Sequence, residues 1–281
     1  MADDSLYKPQ KEELLVDVKN HSFYTVIKDS MNSILSRTYW YPTLKAFNKK
    51  LDEIMYAKHT NKKEALIEIL NHLDEILLNS EHDVMKIIKK RKKDVKQTRV
   101  SVAGNNFQAL IAHSLMANVI ARNLPPINIV LKPKEHVIAN KYTTIKINGE
   151  TQKPDMDILI YQDKPKTPII ICSCKTSLRE RAGQTYRWKL LVDLATADPE
   201  HLKKYPDCPI NKYEIEYQSD RKIYMLMITA DLYNEVSQPQ QRGMFMFFDK
   251  AFIANNKGRK LPLNVQPLSK IIEYLQAIYH N

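Results

Sequence analysis

The sequence predicts an α/β protein with a mixed central sheet flanked by helices, preceded by an all-helical N-terminal domain. Two observations predict it. From about Ser22 to Val95, apolar residues recur at three- and four-residue spacing with few strand-like alternations. From Ile127 onward, short β-rich runs alternate with helical patterns. A chain of 281 residues exceeds a typical single domain, so we place a helical domain at 1–100 and a second domain at 101–281.

In the first region, Tyr24-Val26-Ile27-Met31-Ile34-Leu35 and Leu44-Phe47-Leu51-Ile54-Met55 mark two helices, separated by Tyr41-Pro42, where the proline opens the second. Leu66-Ile67-Ile69-Leu70-Leu73-Ile76-Leu77 continues the pattern. The densest positive stretch follows, Lys89-Lys90-Arg91-Lys92-Lys93 with Lys96 and Arg99. It suits phosphate contacts and equally the solvated end of a helix. Ala103-Gly104-Asn105-Asn106 then punctuates the chain before an apolar helix from Phe107 to about Arg122, which ends ahead of Leu124-Pro125-Pro126.

Strands are expected over Ile127–Leu131, Tyr142–Ile147 (before an Asn148-Gly149 turn), Met156–Tyr161, Ile169–Lys175 and Ile223–Ile228. Helices are expected from Glu180 to about Ala195 and from Leu268 to His280. Ser237-Gln238-Pro239-Gln240-Gln241-Arg242-Gly243 forms a polar loop, in which Gln240, Gln241 and Arg242 suit either DNA contacts outside a core site or a plain surface.

No segment approaches the ~18 apolar residues that span a bilayer, and the N-terminus lacks a basic region followed by an apolar stretch. We therefore expect a cytoplasmic protein with no membrane partner. Three cysteines are too few for a disulfide framework, and Cys172-Ser173-Cys174 has the wrong spacing for a zinc knuckle; both are expected to be buried strand residues. A net charge of +11 attracts polyanions, although charge alone names no function.

The chemistry concentrates in one place. Pro154-Asp155 puts an acid at the mouth of an apolar strand, and the next strand ends on Lys175, with Ser173 on the same face because strand side chains alternate. An acid and a lysine on neighbouring strands suit phosphodiester hydrolysis, with a divalent ion on the acid and the ammonium near the attacked phosphate. The pair by itself is a common pattern, also met as two exposed residues at strand ends. Its continuation is more specific: Arg179-Glu180-Arg181 falls at a helix start. Arginine forks match O6 and N7 of guanine, and a carboxylate accepts from the amino group of cytosine, so this triplet suits a run of G·C pairs.

Ser173-Cys174-Lys175 followed by Arg179-Glu180-Arg181 resembles the type II restriction endonucleases that read CCGG or split CC/GG cores, within the PD-(D/E)XK group. The resemblance implies a restriction-endonuclease-like core over 101–281, with Asp155, Ser173 and Lys175 as catalytic residues and Asp155 as a ligand of Mg2+. It implies Arg179, Glu180 and Arg181 as DNA-recognition residues. It further implies cleavage of double-stranded DNA at a palindrome with a CCGG core, adenine or thymine flanks, 5′ extensions, and a homodimer or higher homo-oligomer. Two departures stand out. Gln108, in Val102-Ala103-Gly104-Asn105-Asn106-Phe107-Gln108, occupies the place of a glutamate in that family, and Trp188 and Lys189 stand where relatives carry a second metal-binding glutamate. Asp157, on the strand face of Asp155, and Asp193, further along the same helix, are the nearby acids that suit either a compensating metal ligand or an ordinary solvated or capping role. The competing classes are a non-catalytic nucleic-acid-binding protein and a repair or recombination nuclease on the same fold.

Overall fold

The computed structural model describes residues 24–280 except 36, 38, 92–93, 198–199, 201–203, 205–208, 218, 234, 256–257 and 259; for some others, including 179–184, only the backbone is described. The elements in chain order are α1 (Tyr24–Leu35), α2 (Tyr41–Lys58), α3 (Lys62–Glu68), a 3-10 turn (Ile69–His72), α4 (Leu73–Arg91), α5 (Val95–Ile120), β1 (Asn128–Leu131), α6 (Val137–Thr143), β2 (Ile145–Ile147) and β3 (Glu150–Gln152). They continue with β4 (Ile158–Tyr161), β5 (Ile169–Lys175), α7 (Arg179–Ala195), β6 (Ile215–Glu216), β7 (Ile223–Thr229), α8 (Pro239–Phe245), β8 (Lys250–Ile253), β9 (Val265–Pro267) and α9 (Ile271–Tyr279).

The first region is helical, as its spacing predicts. Pro42 sits in the first turn of α2, where a missing N–H breaks no helical bond. Asn61 and Asp94 cap α3 and α5, each accepting a backbone N–H at 3.0 Å, from Glu64 and Gln97. The expected break at Ala103–Asn106 is absent, because α5 runs unbroken through it. Asn106 turns inward and donates to the Tyr39 carbonyl at 3.0 Å and the Thr43 hydroxyl at 2.9 Å. Its amide therefore does not compete for the helix backbone. The cost of Gly104 in a helix, about 1 kcal/mol, is outweighed by burial of Phe107, Leu110 and Ile111 on the same helix.

The sheet is mixed, in the order β1-β4-β5-β7-β8-β9. β1, β4 and β5 pair antiparallel, while β5, β7, β8 and β9 run parallel. A smaller antiparallel sheet, β3-β2-β6, stands beside it, its β2–β3 turn made by Asn148 and Gly149 at φ 48° and 82°. The expected strand Tyr142–Ile147 is halved by α6. His136 accepts the Ile138 N–H at 3.3 Å, and the hydroxyls of Thr143 and Thr144 bond back to the carbonyls of Ala139 and Asn140 at 2.7 and 2.6 Å. β8 and β9 were not expected; β9 is a three-residue edge strand ending on Pro267, where a ladder N–H is not required.

Both faces of the large sheet are covered. Ile158, Ile160, Ile170, Cys172, Leu226, Ile228 and Phe252 join a cluster that extends through α5 to Met31, Phe47 and Leu70 and takes in α9. On the other face Leu159, Ile171, Met225, Met227 and Ile253 pack with Leu178, Val192 and Phe245 around α7 and α8. The expected boundary at residue 100 falls inside α5, and the helical half shares the sheet's core.

Candidate active site

The site lies where β4 begins and β5 ends. Asp157 immediately precedes β4, and its N–H donates to the Cys172 carbonyl at 3.0 Å, which sets it beside the end of β5. Its carbonyl accepts the Lys132 N–H at 2.9 Å from the end of β1, so the backbone is fixed on both sides.

Lys175 Nζ lies 3.2 Å from Asp157 Oδ2 and 3.6 Å from Asp155 Oδ2. Asp157 Oδ2 also accepts the Cys174 N–H at 2.7 Å, and Asp157 Oδ1 accepts from Gln108 Nε2 at 2.7 Å. Asp157 is thus the acid around which the site is ordered. The side chains of Lys175 and Asp157 are each 13% exposed, whereas that of Asp155 is 51% exposed. Asp155 presents its carboxylate outward while Asp157 is held by three donors. The sequence singled out Asp155; Asp157 carries the same charge on the next strand position but one, and only the register shows which of the two meets the β5 backbone.

Ser173 shares the strand face of Lys175 but is buried, with its hydroxyl 3.4 Å from that of Thr185 on α7. It ties α7 to the sheet. Gln108 reaches Asp157 from α5, at the position its sequence context marks. Its Oε1 is buried and has no hydrogen-bond partner among the described residues. Burial, with the charge of Asp157 adding to it, pushes the Cys174 thiol well up, so it stays protonated.

Arg179, Glu180 and Arg181 form the first turn of α7, and their side chains lie outside the described residues, as do those of Gln240 and Gln241. The helix start itself is anchored by a residue the sequence gave no reason to notice. Glu235 Oε2 accepts the Leu178 N–H at 2.7 Å and the Ser177 hydroxyl at 3.0 Å. The Glu235 N–H in turn donates to Asp231 Oδ1 at 2.6 Å. An acidic pair after β7 is the only signal for this bracket, and nothing in its spacing names the partner. Asp193 is ion-paired with the buried Lys189, which also lies 3.6 Å from Asp249. That pairing gives Asp193 a structural place on α7.

Among the described residues no group of three His, Cys, Asp or Glu side chains forms a metal cage. Mg2+ does not require one, because it is commonly held by one or two carboxylates with water and substrate phosphate. Asp155 and Asp157, with the orphaned buried Gln108 Oε1 beside them, fit that donor set.

A mixed sheet carrying acids and a lysine at the adjoining ends of two strands, followed at once by a basic helix start, suits a nuclease, and the family match makes the class that of the type II site-specific nucleases. Residues 134–274 match the family described as BsaWI restriction endonuclease type 2, half of the chain. The protein belongs to this family of restriction endonucleases. Among solved structures, the chain is similar to a restriction endonuclease PspGI–substrate DNA complex, with 12% identity over 85% of this chain and 93% of that one and a TM-score of 0.46. It is also similar to a pre-specific restriction endonuclease BsaWI–DNA complex, with 9% identity over 87% and 93% and a TM-score of 0.35. No curated protein matches it. Among the described residues no helix is long and apolar enough to cross a membrane.

Proposed function

We propose that the protein hydrolyses phosphodiester bonds of double-stranded DNA in the presence of Mg2+, at a palindrome with a CCGG core, leaving 5′ extensions. The observation that carries this is the juxtaposition of Asp155, Asp157 and Lys175, with α7 opening on Arg179-Glu180-Arg181 four residues beyond the lysine.

Asp155 and Asp157 are the metal-holding residues in this reading, and Mg2+ bound there supplies positive charge to the phosphate and acidity to a bound water. Lys175, fixed by Asp157, holds its ammonium where negative charge builds on the attacked phosphate. Gln108 is neutral and cannot take a proton, so its amide orients Asp157 and offers Oε1 to water or metal. Ser173 acts through Thr185, keeping α7 in register with β5. Arg179 and Arg181 read guanine and Glu180 reads cytosine from the helix start, with each misread pair costing about 1 to 3 kcal/mol. A palindrome needs two symmetric sites, so the working form is a homodimer or a higher assembly.

Digestion of DNA of known sequence with Mg2+, followed by sequencing of the ends, tests the reading. We expect unique ends at CCGG. Ends at a different fixed site would correct the specificity alone, whereas random ends or intact DNA would overturn the function.

A further inference from the structure

Next to the site lies a hollow of about 580 Å³ whose lining includes Arg37, Lys132, Gln97, Ser101 and Asn105. A second hollow of about 630 Å³ shares Gln97, Ser101 and Asn105 and reaches Gln108. Those residues recur at four- and three-residue spacing on one face of α5, so they form a polar ridge that leads to Asp157.

The charge in the first hollow is unbalanced. Among the described residues neither Arg37 nor Lys132 forms an ion pair with a carboxylate. Arg37 donates through one terminal nitrogen to the Asn105 carbonyl at 3.1 Å, while its Nε is buried without a partner. Burial lowers the pKa of Arg37, and burial followed by repulsion from Arg37 lowers that of Lys132, with Asp157 opposing. Among the described residues the one acid lining either hollow, Asp94, accepts the Gln97 N–H. Arg37 is largely buried and Lys132 lies exposed beside it, so two like charges share the hollow and an anion between them relieves their repulsion. Lys132 is also tied to the site through its backbone bond to Asp157.

We infer that this hollow seats a backbone phosphate of the DNA strand held at Asp157, with Arg37 and Lys132 supplying the charge and the α5 ridge supplying neutral donors. The inference rests on the nuclease reading above. The seat carries no base-reading pattern, so it contributes affinity and alignment of the strand to every sequence alike.

Anisotropy titration of the full chain against the duplex it cuts, in a Lys175→Ala background, tests the seat. The probes carry a single uncharged methylphosphonate at successive backbone positions. Lys132→Asn is the main variant, because Lys132 is exposed with φ 50°, a conformation asparagine tolerates. Arg37→Gln is the second, with thermal unfolding as the control for folding. We expect about tenfold weaker binding for each variant and a salt slope smaller by about one. We also expect one methylphosphonate position near the cut that weakens the parent protein but adds nothing to the variant's loss. Unchanged slopes, or losses that add at every position, would overturn the seat while leaving the nuclease intact. A wild-type chain that neither binds nor cuts duplex DNA would overturn both.

Discussion

Asp155 and Asp157 differ enough in setting that one conservative substitution, aspartate to asparagine, should separate their roles. Asp157 holds three donors, Lys175 at 3.2 Å and Cys174 N–H and Gln108 Nε2 both at 2.7 Å, and it shares a largely buried environment with the lysine. Losing one member of a buried pair costs about 3 to 5 kcal/mol because the other charge is left uncompensated. Asparagine retains one acceptor oxygen and Asp155 remains 3.6 Å away, so about 3 kcal/mol is the expected loss for Asp157→Asn. With an unfolding entropy of about 2 cal/mol/K per residue, that corresponds to roughly 5 °C in melting temperature for a chain of this length. Asp155 is half exposed, and its contact with Lys175 is screened by water. Asp155→Asn should therefore melt within about 2 °C of wild type, since an exposed pair contributes ~0 to 1 kcal/mol. Both variants should lose Mg2+-dependent cleavage. The assay pairs thermal unfolding with a cleavage time course. Equal melting temperatures for the two variants would refute the assignment of Asp157 as the structural hub, and full activity of either would remove that acid from the site.

Three further outcomes follow from the structure. His113 is fully enclosed between Trp40 and Phe47, and burial pushes its pKa down to about 4, so the unfolded chain binds a proton first as pH falls. Its contribution to stability is complete above pH ~6.5 and lost progressively toward pH ~4, by about 3 kcal/mol, and urea unfolding across that range should show a flatter profile for His113→Phe. Glu235→Ala removes the acceptor for the Leu178 N–H and Ser177 hydroxyl; we expect cleavage to fall about tenfold or more, with relaxed sequence preference, and an unchanged cleavage map would separate this bracket from recognition. Gly149→Ala places a side chain at φ 82° in the β2–β3 turn and should cost about 1 kcal/mol in denaturant unfolding without altering cleavage.

Much of the architecture was legible because strong periodicity has few solutions. The run Ile169–Lys175, apolar on both faces, became a central strand, and the three-and-four spacing before Val95 became helices. The misses lie where side-chain chemistry overrides local preference: Asn106 finding partners on α2 kept α5 whole, and threonine back-bonding kept Tyr142 and Thr143 helical. Lys175 and Gln108 were marked by their neighbours in sequence, and they meet around one acid. Asp157 was legible only as a nearby acid and Glu235 not at all, since their importance comes from register and loop closure, which no local pattern encodes.

The unbroken course of α5 has a consequence for how the molecule is divided. Asn106 on this helix is bound to residues of α2 and its approach, and Gln108, two positions later, is bound to the acid of the site. A chain cut at residue 100 would begin partway along α5, without Thr43 and Tyr39 to receive Asn106 and without the apolar cover that Met31, Phe47 and Leu70 give to the shared core. The helices before residue 100 thus share one apolar core with the sheet that carries the site, and α5 links the two.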